Sequence, residues 1–378
     1  MMKEKLDMLF IQGLEPVQSK YIGYIFPLAR ELENNEYSFK IFDLNTLSNY
    51  SIDEILYELD KLEVQAIGIT TNSDNISNVY KICKAIKGAY PTIPIILGGP
   101  QVSFSDKETL SKCNCDIVVR NYGDVSLIKI LDCIIRKTTV LENINGISFK
   151  RNSAIIQNKD DIIDVNSLPT PQYAVLKEDK YWIIPENSPY KEFSVFLNNH
   201  LGNYSFFITG RGCPYNCAFC VEGNIKNKYH YRNVENVKKD LKYFLSITNV
   251  KMLAIVDDTL TSSPIRVREL CKMIQEVQNE MYFFTWFSEG RADVLSKHLE
   301  LIGEMYNTGL IKLQIGIESG RQETLDAYNK RITLDQIEKV VKEITKYEDL
   351  LLHGNIIMGN PHESFNQKIP RGLPRGKT

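Results

Sequence analysis

Three thiols stand within eight residues of this chain. Cys213, Cys217 and Cys220 are spaced C-x3-C-x2-C in Arg211-Gly212-Cys213-Pro214-Tyr215-Asn216-Cys217-Ala218-Phe219-Cys220, directly after the apolar run Tyr204 to Ile208. Thiolates are the characteristic ligands of iron–sulfur clusters, and one short loop can hold three corners of a 4Fe–4S cube. A cube with three protein ligands leaves one iron open, and an open metal position marks chemistry rather than architecture. Two blander uses compete. A disulfide framework would leave one of the three odd, in a chain with nothing that looks secreted. Zinc held by these cysteines and His230 would be a Cys3His set of known kind, but zinc sites usually pair two close ligands with two distant ones.

A loop of this kind needs a rim to sit on, and the following pattern supplies one. From about residue 201 strand and helix patterns alternate. Apolar runs at Tyr204–Ile208, Met252–Val256, Tyr282–Phe287, Ile311–Ile317 and Leu352–Met358 read as five strands. Between them, Val234, Val237, Leu241 and Phe244 share one helical stripe, and Val267, Leu270, Cys271, Ile274 and Val277 another. Thr333 with Gln336 forms a capping box before a further helix. Five such units predict a partial (β/α) barrel, active at the carboxyl-end rim. Polar residues collect there: Asp257 and Asp258, then Arg291, then Glu318 and Ser319. The ordinary use of Asp and Ser after a strand is to cap the next helix. Glu318, followed by Ser-Gly, is a weak cap and so the better binding candidate.

The first 136 residues alternate strands and helices in the manner of a Rossmann-like parallel sheet wound on both sides. The predicted strands are Leu6–Ile11, Tyr37–Phe42, Val64–Thr70, Ile93–Leu97 and Asp116–Val119. The predicted helices are Tyr21–Glu33, Ser51–Leu62 with Ser51 as N-cap, Ile76–Lys87 and Asp124–Arg136. Ligands of such sheets sit beyond the strands' carboxyl ends, which singles out Thr70, Gly98-Gly99-Pro100 and Arg120. Glycine allows a backbone to approach a ligand closely, although Gly-Gly-Pro is also simply a good turn. Residues 137–200 read as a connector, with a small hairpin of Asn145–Lys150 and Ala154–Asn158 and an extended Leu168-Pro169-Thr170-Pro171 strap.

Composition bounds the rest. With 43% apolar and 24% charged residues, the 378-residue chain has ordinary globular balance. A net charge of −2 points to neither nucleic acid nor an anionic membrane surface. No apolar run is long enough to span a bilayer, and Met-Met-Lys-Glu-Lys lacks a signal-peptide core. Eight cysteines without a secretion signal suit a reducing cytoplasm, which also protects an oxygen-sensitive cluster.

The cysteine loop, with Phe219 in the aromatic place before the third Cys, resembles the signature of the radical S-adenosylmethionine (radical SAM) superfamily. The order Thr70-Thr71, Gly98-Gly99-Pro100 and Val119-Arg120-Asn121-Tyr122-Gly123-Asp124 resembles the cobalamin-binding domain that precedes many such cores. The resemblance covers about residues 5–364. It implies that Cys213, Cys217 and Cys220 carry a 4Fe–4S cluster whose open iron chelates S-adenosylmethionine. One electron then releases methionine and a 5'-deoxyadenosyl radical, which takes hydrogen from an unactivated carbon. It further implies that Asp257 and Asp258 contact the methionine amino group and Glu318 and Ser319 the methionine or ribose. Arg291 would face the substrate or the cosubstrate carboxylate. Thr70, Gly98, Gly99 and Arg120 would line cobalamin. The implied outcome is C-methylation, or cyclisation or rearrangement, of a small-molecule or peptide-type substrate, with a flavodoxin- or ferredoxin-type electron donor. A methylthiotransferase fits less well, because Cys83, Cys113 and Cys115 share no evident face that could hold a second cluster.

Two departures follow. No histidine precedes His200, so no His of the first domain can coordinate cobalt. The pattern also stops after the fifth strand, where six units complete the superfamily's core. Residues 365–378, with four basic residues and none acidic, read as a disordered tail, as in a truncated relative with activity in doubt. The expected layout is therefore a cobalamin-type domain at 1–136, a connector at 137–200, a barrel core at 201–364 and a tail.

Overall fold

A computed structural model describes residues 3–12, 25–44, 51–152, 154–176, 204–222 and 229–360. The chain divides into two compact units, Met1–Ser194 and Val195–Thr378. The first runs β1 (Glu4–Gln12), α1 (Ile25–Asn34), β2 (Phe39–Asp43), α2 (Ile52–Asp60), β3 (Leu62–Thr70), α3 (Ile76–Ala89), β4 (Ile95–Gly98), α4 (Pro100–Phe104), α5 (Asp106–Lys112), β5 (Ile117–Val119), α6 (Asp124–Leu131), β6 (Ile147–Arg151) and β7 (Ala154–Gln157). The strands lie in the order β2-β1-β3-β4-β5-β6-β7.

Alternation along buried strands feeds two cores. Leu9, Ile11, Ile67, Ile69, Ile95 and Leu97 pack on Val79, Ile82, Cys83 and Ile86 of α3. Met8, Phe10, Ala66 and Ile96 point the other way, onto Ile25, Ala29, Leu32 and Leu127. Both faces being covered, these strands read as unbroken apolar runs. Ser51 caps α2 in a full capping box with Glu54.

Five expectations need correction. The hairpin read as part of a connector extends the sheet instead: β6 pairs antiparallel with β5, and β7 with β6. An exposed β5 edge would leave unpaired backbone groups, and the hairpin covers it. Arg120, expected against cobalamin, is buried in fastening that hairpin. Its Nη1 donates to Ile147 O at 2.7 Å and Ser148 Oγ at 2.5 Å, and its Nη2 to Asn158 O at 2.6 Å and Asp160 Oδ1 at 3.1 Å. The segment after Gly99 is not a plain turn, because α4 and α5 occupy it, and the helix expected to reach Arg136 ends as a π turn at Asp132–Arg136. Cys83, Cys113 and Cys115 do share a face, inside one core. The thiols of Cys115 and Cys83 both face the Cys113 sulfur and lower its pKa. Residues 83 and 113 lie on different elements, so no spacing along the chain could show their meeting.

Thr70 pairs with Gly98 at the strand ends, and Thr71 donates to Gly98 O through its amide at 2.8 Å and its hydroxyl at 2.7 Å. The two glycines differ. A Cβ on Gly98 would meet no heavy atom of the described residues within 4 Å, whereas Gly99 has φ +100° and a Cβ there would strike the Thr71 backbone.

The second unit contains β8 (Tyr204–Phe207), β9 (Gly210–Arg211), β10 (His230–Tyr231), α7 (Val234–Thr248), β11 (Met252–Ile255), α8 (Pro264–Glu280), β12 (Thr285–Gly290), α9 (Ala292–Leu295), α10 (Glu300–Asn307), β13 (Leu310–Glu318), α11 (Gln322–Ala327), α12 (Leu334–Ile344) and β14 (Leu351–Ile356). Its main sheet is parallel in the order β14-β13-β12-β11-β8. Strand β12 runs on to Gly290 rather than ending at Phe287. The expected tail, 365–378, lies outside the described residues. Among the described residues no helix is long and apolar enough to cross a membrane.

Replacing Arg120 by Met should strand the buried Asp106, whose carboxylate lies 3.6 Å from the guanidinium. Urea unfolding should show a loss of about 3–5 kcal/mol, and Arg120→Met/Asp106→Leu should recover part of it. Wild-type stability in the single variant would contradict the role given to Arg120.

Candidate active site

The cysteine loop leaves the sheet at the carboxyl end of β8, and its neighbour β11 holds it there. Asp257, just beyond β11, accepts from the Thr209 amide at 2.6 Å and the Thr209 hydroxyl at 2.5 Å. Asp258 accepts from the Gly212 amide at 3.0 Å. Burial pushes Asp257 up to about 6, against those hydrogen bonds, and raises Asp258 as well. Neither is a helix cap, the ordinary use weighed for them, since Ser263 caps α8. Gly212 turns the loop with φ +77°, a conformation glycine adopts without strain.

The far side of the loop docks on the segment after α11. Ala218 N donates to Tyr328 O at 2.8 Å, and Asn329 Nδ2 donates to Asn216 O and Oδ1 at 3.0 Å. Phe219 sets its edge on Tyr328 with centroids 5.2 Å apart. Tyr328, Asn329 and Lys330 were not foreseen. They lie after a short helix with no motif, and only their place in the fold brings them to the loop.

Arg291 was expected to face substrate or cosubstrate, but its guanidinium is committed within the chain. Nε donates to Asp293 at 2.9 Å and Nη2 to Lys330 O at 2.8 Å, while Nη1 lies 3.8 Å from Cys217 Sγ. The group also stacks 3.5 Å above the Tyr215 ring. The cation thus stands against the buried cysteine of the loop. All three loop cysteines are free thiols. The donor set, three thiols on one pinned loop with a cation against the buried one, fits a cluster. Among the described residues no three His, Cys, Asp or Glu are grouped about one ion position.

Glu318 ends β13 with φ +60° and pairs with Lys330 at 2.7 Å, both side chains buried. Such a backbone costs about 1–3 kcal/mol and persists only where its surroundings hold it. Gly316 leaves the space, since a Cβ there would stand 2.6 Å from Lys330 Nζ. Ser319, also buried, accepts from the Arg321 amide at 3.2 Å.

A row of polar side chains on the Glu318 face of the sheet was missed. Register sets Phe287 beside Lys312, Glu289 beside Gln314 and Gln314 beside His353. Gln314 Nε2 donates to Glu289 Oε1 at 2.7 Å. Burial lowers Lys312 to about 8 and raises Glu289. A signal existed: in Ile311-Lys312-Leu313-Gln314-Ile315-Gly316-Ile317-Glu318, polar residues and glycine alternate with aliphatic ones, the mark of a strand with one polar face.

Fold and loop together give a parallel sheet that carries a three-cysteine loop at its rim, preceded along the chain by a second sheet. Residues 25–131 match the family model of the B12 binding domain and residues 207–367 that of the Radical SAM superfamily, so this chain joins a B12-binding domain to a radical SAM domain. It is 26% identical over 347 residues to an uncharacterized methyltransferase of Pyrococcus horikoshii, covering 91% of this chain and 70% of that one. It is 21% identical to the anaerobic magnesium-protoporphyrin IX monomethyl ester cyclase of Rubrivivax gelatinosus, covering 90% and 59%. The solved structure of the cobalamin-dependent S-adenosylmethionine radical enzyme OxsB, with aqua-cobalamin and S-adenosylmethionine bound, shares the fold at TM-score 0.75 and 18% identity, over 93% of this chain and 49% of that one. The radical S-adenosylmethionine methyltransferase TsrM from Kitasatospora setae does so at 0.75 and 14%, over 95% and 69%.

Lys312 carries a testable linkage. Its folded pKa, about 8, lies below the ordinary 10.5. Its contribution to stability is therefore complete above the unfolded value and lost as pH falls through 8. Lys312→Met should melt higher than wild type at pH 7, and that gain should shrink between pH 8 and 10.5. A difference that stays flat across the window would refute the assignment.

Proposed function

We propose that the chain acts as a cobalamin-dependent radical SAM enzyme that alters an unactivated carbon, with C-methylation as the leading outcome. The observation that carries this reading is the loop of Cys213, Cys217 and Cys220, pinned by Asp257 and Asp258 at a parallel-sheet rim and backed by Arg291. When bound, a 4Fe–4S cluster with S-adenosylmethionine supplies a 5'-deoxyadenosyl radical, and cobalamin supplies a methyl group.

The chain's own residues would do the following. Cys213, Cys217 and Cys220 ligate the cluster, with Arg291 donating toward the Cys217 sulfur. Asp258 and the Glu318–Lys330 pair, with Ser319, offer the polar groups nearest the loop to the amino-acid end of S-adenosylmethionine. Phe219, 40% exposed, offers an apolar edge beside them. In the first unit the open space at Gly98, rather than at Gly99, is the place for part of a corrinoid, with Thr70 beside it. Any cobalamin there lacks a histidine ligand from residues 1–199. The row of Glu289, Lys312, Gln314 and His353 suits a substrate with polar or charged groups, small-molecule or peptide-type. A flavodoxin- or ferredoxin-type donor in a reducing cytoplasm completes the reading.

The relatives named for methyl transfer favour methylation, and the cyclase keeps ring closure as the second outcome. The chain spans 70% of the first relative, 59% of the second and 49% of the OxsB chain, so substrate and partners belong to the proposal.

Anaerobic reconstitution with iron and sulfide should give broad visible absorption and slow release of 5'-deoxyadenosine from S-adenosylmethionine. The Cys213→Ala/Cys217→Ala/Cys220→Ala variant should show neither. Gly98→Val should lose cobalamin on gel filtration while keeping the cluster spectrum. Uptake of one zinc with no iron would sink the cluster reading, and retention of cobalamin by Gly98→Val would move the corrinoid elsewhere.

A further inference from the structure

We propose that Arg266 is a positioning residue for the cysteine loop, acting through Asp257; this rests on reading that loop as a cluster site. Arg266 is the third residue of α8, and its guanidinium is buried. It is 2% exposed, and among the described residues none of Nε, Nη1 and Nη2 has a hydrogen-bond partner. A guanidinium keeps its charge at any ordinary pH, and burying it unpaired is costly. Such a group persists in a fold when its charge serves something nearby.

What lies nearby is the start of the cysteine loop. Arg266 sits 5.1 Å from the centroid of the Tyr231 ring, and Tyr231 is the backbone partner of Gly210 in the β9–β10 ribbon. Asp257 holds Thr209 by amide and hydroxyl, and a Cβ on Gly210 would lie 3.2 Å from Asp257 Oδ2. Arg266, Tyr231 and Asp257 thus bracket Thr209-Gly210, three residues before Cys213.

The electrostatics run the same way. Asp257 is 1% exposed, and the amide and hydroxyl it accepts from at Thr209 are neutral donors. Burial disfavours its charged form and the Arg266 charge opposes that, while Asp257 in turn opposes the burial penalty on Arg266. Each charge makes the other tolerable. The carboxylate then accepts from the loop more strongly than a neutral acid would, since charge-assisted hydrogen bonds are the stronger kind. Arg266 acts on the loop through Asp257.

The test uses the full chain, reconstituted anaerobically, and follows the bleaching of its visible spectrum by a ferrous chelator. Arg266→Met should lose its cluster about tenfold faster than wild type, equivalent to about 1.4 kcal/mol of lost loop restraint. Arg266→Lys should rescue most of that loss. In an Asp257→Asn background Arg266→Met should add little. Wild-type rates in Arg266→Met, no rescue by Lys, or the full tenfold effect persisting in the Asp257→Asn background would each overturn the proposal. Should Arg266→Met fail to fold by circular dichroism, Asp257→Asn/Arg266→Met decides. Action through Asp257 requires the double variant to fold and hold a cluster, and an unfolded double variant overturns it. A wild-type chain that takes up no iron would instead refute the cluster reading itself.

Discussion

Two adjacent carboxylates gripping backbone amides are the constraint from which the rest of the second unit follows. Three cysteines on an unrestrained loop would bind metal only after ordering many backbone torsions, each residue at about 1–2 kcal/mol. Asp257 and Asp258 remove much of that freedom by taking Thr209 and Gly212 on either side of the turn. They can do so because β8 and β11 are parallel neighbours in register, Phe207 beside Ile255, with Val256 N donating back to Phe207 O. The two strands then leave the sheet side by side. Sheet order here is therefore part of the site's chemistry.

A second layer ties the remaining strands to the same loop. Arg291 follows β12, Glu318 ends β13, and Lys330 follows α11. Arg291 reaches both the Lys330 carbonyl and the Cys217 sulfur, while Lys330 pairs with Glu318. The left-handed backbone at Glu318 coincides with a register shift between β13 and β14. A bulge at a strand end re-aims a side chain, and here it turns a carboxylate toward a buried lysine. Strain and ion pair are thus parts of one device, each depending on the other.

Much of this was legible in the sequence, and the reasons for the rest are physical. Element types followed from periodicity: Val79, Ile82, Cys83 and Ile86 are the buried stripe of α3, and Thr333 with Gln336 is a capping box. The three-cysteine loop and the two aspartates were visible because they are contiguous. Arg291 was visible as a site residue but not its direction, since only the fold shows that Cys217 and Lys330 claim its nitrogens. Lys330, Arg266 and the Cys83–Cys113–Cys115 cluster were invisible, because each depends on side chains from elements far apart along the chain. The hairpin after residue 145 was seen but misplaced. Spacing reveals a hairpin, while only the open edge of β5 says where it goes.

The Gly98-Gly99 pair shows how one dipeptide can serve two ends that sequence cannot separate. Gly99, at φ +100° and against the Thr71 backbone, is glycine because no other residue fits the chain's own path there. It would be needed in any protein that turned from this strand into α4. Gly98 has ordinary backbone, and among the described residues nothing stands where its Cβ would be, so their packing gives no reason for glycine. A position that tolerates a side chain sterically, yet carries none, leaves room for an outside group to come close. The bearing of this pair on cobalamin therefore rests on Gly98 alone, and Gly99 would look the same with or without a corrinoid.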